Sequence, residues 1–128
     1  MSSTDSKNAI LSVPDLGQSL WYDYIQRSMI WTGRLHRMAA EDGLRGVTSN
    51  PAIFEKAIGG SKDYAPALAA AVANGLHASA IFEAIAISDI QGACDALRSV
   101  FEQTGGRDGY VSLEVSPYLA HDTQATVA

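Results

Sequence analysis

The chain has 128 residues, and 14 Asp and Glu against 9 Lys and Arg leave it with a formal charge of −5. That acidic balance, with the basic residues thinly spread, speaks against a phosphate-backbone groove and so against nucleic acid as a partner. A hydrophobic fraction of 47% excludes a disordered chain, and the single cysteine, Cys94, excludes an internal disulfide framework or a cysteine-built zinc site; no apolar run approaches the roughly 20 residues that span a bilayer.

Residues 1–14 read as a flexible, polar leader without an export signal. Together with the lone cysteine this fits a reducing, cytoplasmic setting. Ser19-Leu-Trp-Tyr-Asp-Tyr-Ile25 is rich in strand formers and predicts a first strand ending near Asp23. From Gln26 to Asp42 the spacing turns helical, with Trp31, Leu35 and Met38 on one apolar stripe and Gly43 as the stop. Leu44 to Ser49 predicts a second strand. Asn50-Pro51 follows directly as N-cap and first helical residue of a helix running to Ile58.

Beyond Gly59-Gly60, a helix is expected over Lys62 to Ala73, closed by Asn74-Gly75, and another over Ser79 to Ala86. Ser88-Asp-Ile-Gln91 matches a capping box and predicts a fresh helix start. That helix carries Ile90, Cys94, Leu97 and Phe101 on one apolar stripe, which predicts a buried, inert Cys94. Tyr110-Val-Ser-Leu-Glu-Val115 alternates as a third strand, and the tail from His121 approaches another helix. Strand, helix, strand, several helices and strand together predict α/β architecture with parallel strands and helical crossovers.

Asp23, Asn50 and Glu114 fall at the C-terminal ends of the three predicted strands, the end where α/β barrels gather catalytic side chains. Two carboxylates and an amide there suit acid/base chemistry on a small polar substrate. Each has a plainer explanation: Asn50 as a helix cap alone, Asp23 as a cap or a solvated acid. For Glu114 function is favoured, because a carboxylate opposite Val111, Leu113 and Val115 is expected to face a strand-lined interior, where it is costly unless used. His36, His77 and His121 form no metal-ligand spacing, and the glycine pairs lack a nucleotide-binding fingerprint.

Gly46-Val-Thr-Ser-Asn-Pro-Ala-Ile-Phe54 and Asp108-Gly-Tyr-Val-Ser-Leu-Glu-Val-Ser-Pro117, with Tyr-Leu-Ala-His-Asp-Thr123 after it, resemble the transaldolase family. Leu20-Trp-Tyr-Asp23 and Glu41-Asp-Gly-Leu-Arg45 extend the likeness, which is strongest to the bacterial branch that includes fusions with phosphoglucose isomerase. The resemblance implies a TIM (β/α)8 barrel of the pentose phosphate pathway that needs neither metal nor organic cofactor. Such enzymes move a dihydroxyacetone unit from sedoheptulose 7-phosphate to glyceraldehyde 3-phosphate through a Schiff base. It further implies Asp23 as the acid/base of carbon–carbon cleavage and Glu114 as the carboxylate acting through a water on the carbinolamine. Asn50, with Thr48 and Ser49 beside it, is implied as substrate-binding.

The family's nucleophile is a lysine on the fourth strand. Lys7, Lys56 and Lys62 lie in the leader, on the helix after Asn50 and in a loop, so none matches it. A complete barrel takes about 250 residues. The expectation is therefore a partial barrel over 15–128, about three strands with helical crossovers, from a truncated gene or a deliberately shortened chain, and inactive alone. Two alternatives stand beside it. One is a non-catalytic module that self-associates, or binds a complementary fragment, through its open sheet edges; the other is a related Schiff-base sugar-phosphate aldolase.

Overall fold

A computed structural model describes residues 8–127. Three strands, β1 (Leu20–Asp23), β2 (Leu44–Thr48) and β3 (Tyr110–Val111), form a parallel sheet in the order β1-β2-β3. Parallel pairing requires long crossovers. α1 (Arg27–Trp31) and α2 (Arg34–Glu41) link β1 to β2; α3 (Pro51–Gly60), a 3-10 turn at Lys62–Tyr64, α4 (Ala65–Ala73) and α5 (Ala78–Gln103) link β2 to β3. α6 (Thr123–Val127) follows. The strands therefore end on the same side of the sheet. The architecture is α/β, three parallel strands with helices, in keeping with part of a TIM-type barrel.

The register pairs Trp21 with Gly46, Asp23 with Thr48 and Val47 with Val111, which fixes the two faces. Val47 is fully buried among Ile25, Leu35, Phe54, Ala93, Leu97 and Val100, the helix-covered core, and Val111 packs against it. On the opposite face the Trp21 ring lies on Gly46, its carbons only 2.4 Å from where a Cβ would stand. Only glycine fits there.

The predicted leader falls partly on residues 1–7, outside those described. Ala9–Leu16 is a 3-10 helix capped by Asn8, and its Leu11 packs over Gly43. The helix expected over 26–42 is two helices, because Gly33 enters the left-handed region at φ +68° and restarts the chain. The break puts Trp31 off the buried stripe, at 68% exposure, while Leu35 and Ala39 go inside. Lys62 to Ala73 likewise divides into a 3-10 turn, which buries Tyr64, and α4.

The two helices expected across Ser88 are one helix of 26 residues. Its buried stripe, Ile85, Ala86, Asp89, Ala93, Leu97 and Val100, runs without interruption past the Ser88 to Gln91 motif. Continuous packing overrides the local capping signal. The same stripe corrects the expected burial of Cys94, which is exposed because Ala93 and Leu97 take the inward positions.

The third strand is shorter than its alternation suggests, since the ladder ends at Val111 instead of Val115. β2 ends at Thr48 and turns into α3, and among the described residues no strand lies on the other side of β3. Leu113, Val115 and Glu114 are consequently exposed.

Candidate active site

β1 and β2 end side by side, and their last residues meet. Thr48 Oγ1 donates to Asp23 Oδ1 at 2.6 Å, fixing the carboxylate at an exposed strand end. The bond follows from the register, because parallel partners carry their side chains on the same face.

Asn50 lies two residues beyond Thr48, with extended backbone (φ −147°, ψ 167°). Its Oδ1 accepts from the Ile53 N–H at 2.9 Å, the N-cap bond of α3. Capping uses only the oxygen. Among the described residues the Asn50 amino group makes no hydrogen bond, so the same side chain holds the helix start and keeps two donors for another oxygen.

Ser49 is only 1% exposed, and its hydroxyl donates to the Ser112 carbonyl at 2.7 Å. The structure does not bring it to the Asp23–Thr48 pair. Glu114 is exposed, so the expected costly interior carboxylate is corrected: no buried position calls for a function there. It borders a cleft of about 480 Å³ between α5 and the chain after β3, with Phe82, Ala86, Ile87, Leu113 and Tyr118. Among the described residues no hydrogen bond joins it to Asp23 or Thr48. Asp23, Thr48, Asn50 and Glu114 thus share the strand-end side of the sheet, but only the first two are in direct contact.

Beneath the end of β1 lies a polar cluster that the pattern analysis did not single out. Arg27 Nε donates to Asp89 Oδ1 at 2.7 Å, and both residues are buried. The guanidinium lies 4.7 Å from the centre of the Tyr64 ring, whose hydroxyl accepts the Arg27 backbone N–H at 3.0 Å. That hydroxyl serves the start of α1, where Gln26 provides no side-chain cap. Burial pushes the Tyr64 hydroxyl well above its ordinary range, and neighbouring Asp89 adds in the same direction. One signal was available: Asp89 falls in phase with Ile85 and Ala93, a carboxylate on an apolar stripe.

Of the lysines, Lys56 and Lys62 are exposed on α3 and the 3-10 turn, and Lys7 lies outside the described residues. No helix among the described residues is long and apolar enough to cross a membrane.

Residues 20–128 match the family described as transaldolase/fructose-6-phosphate aldolase. Among curated proteins, the chain is 46% identical over 123 residues to Transaldolase 2 of Nostoc punctiforme, an alignment covering 96% of this chain and 32% of that protein. It is 48% identical over 120 residues to Transaldolase of Thiobacillus denitrificans, covering 94% and 33%. With Transaldolase 1 of Streptomyces avermitilis it shares 43% over 114 residues, covering 89% and 30%. The chain spans about a third of the length of these relatives.

Proposed function

The chain belongs to the transaldolase/fructose-6-phosphate aldolase family, and from that premise we propose that it supplies one side of a transaldolase active site. The reaction is transfer of a dihydroxyacetone unit from sedoheptulose 7-phosphate to glyceraldehyde 3-phosphate through a Schiff base. The hydrogen bond from Thr48 to Asp23 carries the proposal. It holds the Asp23 carboxylate oriented at the ends of two parallel strands, which suits a general base within hydrogen-bond reach of a substrate hydroxyl.

In this reading Asp23 takes the hydroxyl proton as the carbon–carbon bond breaks and returns it in the reverse direction. The Asn50 amino group donates to a substrate oxygen. Glu114 acts through a water on the carbinolamine that precedes the Schiff base, and its exposed position leaves room for that water. The nucleophilic lysine comes from the part of the enzyme beyond this third, since neither Lys56 nor Lys62 stands at a strand end. The 128-residue chain alone is therefore inactive. The relatives' names favour a transferase over the aldolase that the family description also includes.

The test joins the chain to the remaining two-thirds of Transaldolase 2 from Nostoc punctiforme. Borohydride with fructose 6-phosphate should trap a lysine adduct in the joined protein and none in the chain alone. A trapped adduct on Lys56 or Lys62 would overturn the assignment of the nucleophile, and a joined protein without turnover would overturn the function.

A further inference from the structure

Two adjacent hydroxyls at the end of β2 point to opposite neighbours. Thr48 reaches back to Asp23 on β1, whereas Ser49 reaches forward to the Ser112 carbonyl. The second contact lies beyond the last backbone rung between β2 and the third strand, in which the Ser112 N–H donates to the Val47 carbonyl at 2.8 Å. Past it, among the described residues, no backbone hydrogen bond ties residues 113–116 to β2. Glu114 sits in that untied stretch, two residues from the tether.

We infer that Ser49 is a positioning residue for Glu114. Its buried hydroxyl adds one side-chain rung where β2 turns away into α3, and this anchors the Ser112 carbonyl, two residues before the carboxylate. A carboxylate acting through a water needs a set distance and direction, and among the described residues no backbone hydrogen bond past Ser112 ties the segment that bears it to β2. The tripeptide Thr48-Ser49-Asn50 then orients three neighbours: Asp23 through Thr48, the segment bearing Glu114 through Ser49, and the start of α3 through Asn50. The inference rests on the proposed role of Glu114 and reassigns Ser49, which the family resemblance placed among substrate contacts.

The test reads the tether and the chemistry separately. In the isotopically labelled chain, exchange is followed at the Ser112 amide, which donates to the Val47 carbonyl, with the buried Val47 amide as internal reference. Ser49→Ala and Ser49→Val should speed exchange of the Ser112 amide by about 5- to 10-fold, the effect of losing one ordinary hydrogen bond, and leave Val47 unchanged. Ser49→Thr, matched to Val in shape but keeping the hydroxyl, should restore protection even where the Ala variant folds poorly. In the protein joined to the Nostoc punctiforme remainder, Ser49→Val should lower kcat on the order of 10-fold with KM nearly unchanged, and Ser49→Thr should recover it.

Exchange of the Ser112 amide that is the same in the Val and Thr variants overturns the tether. A raised KM with unaltered kcat overturns positioning in favour of direct substrate contact. An inactive joined wild type defeats the proposed function instead, and the exchange comparison still decides whether Ser49 holds the strand.

Discussion

Thr48 and Asp23 are 25 residues apart in sequence and 2.6 Å apart in space, joined by one hydroxyl-to-carboxylate hydrogen bond. Removing the donor while keeping the shape isolates its contribution. In the joined enzyme, Thr48→Val is expected to lower kcat on the order of 10-fold and Thr48→Ser to preserve most of it, because a misaligned general base loses part of its advantage. Steady-state kinetics on the two variants checks this; equal rates for Val and Ser would refute it.

Gly46 is predicted to be intolerant of any side chain. A Cβ there would meet the Trp21 ring at 2.4 Å, and Trp21 is held by its place in β1. Gly46→Ala should cost about 1–3 kcal/mol, as overpacking does. Trp21→Leu combined with Gly46→Ala should show a coupling of opposite sign in urea denaturation.

The Arg27–Asp89 pair is buried on both sides, and its loss should be felt asymmetrically. Asp89→Ala leaves an uncompensated guanidinium and should destabilise by about 3–5 kcal/mol, whereas replacing both partners by Met and Leu should cost far less. Among the described residues Asp89 Oδ2 has no hydrogen-bond partner, which weakens the pair's net gain further. Midpoints of urea unfolding for the single and double variants give the answer.

Tyr64 predicts an alkaline limit to stability. Its hydroxyl is held above its ordinary range, so the folded state keeps the proton after the unfolded chain has lost it. Stability from this group is fully present below the unfolded value of about 10 and falls as pH rises beyond it. Tyr64→Phe should flatten that fall while lowering stability at neutral pH, because the hydroxyl that accepts the Arg27 N–H is gone. Thermal melts between neutral and strongly alkaline pH distinguish the two effects.

Much of the site was legible before the fold. Asn50-Pro51 announces its helix because the cap bond closes within three residues, and the structure forms it at Ile53. The strand ends at Asp23 and near Ser49 follow from composition and from the Gly43 and Asn50 boundaries. The Ser88 motif failed for a definite reason: a capping box records what a free helix end would prefer, and here the buried stripe from Ile85 to Val100 leaves no end. Alternation likewise described the strand after Tyr110 without revealing that β2 stops pairing with it after Val111.

Local pattern was enough for the order of the three strands, the α3 cap and the residues at the ends of β1 and β2, all of which depend on neighbours a few positions away. Long-range packing set the rest: Thr48 serves Asp23 while Ser49 serves Ser112, Cys94 is exposed, and Arg27 finds Asp89 62 residues on. Those outcomes depend on register and packing between distant segments, which local propensity does not encode.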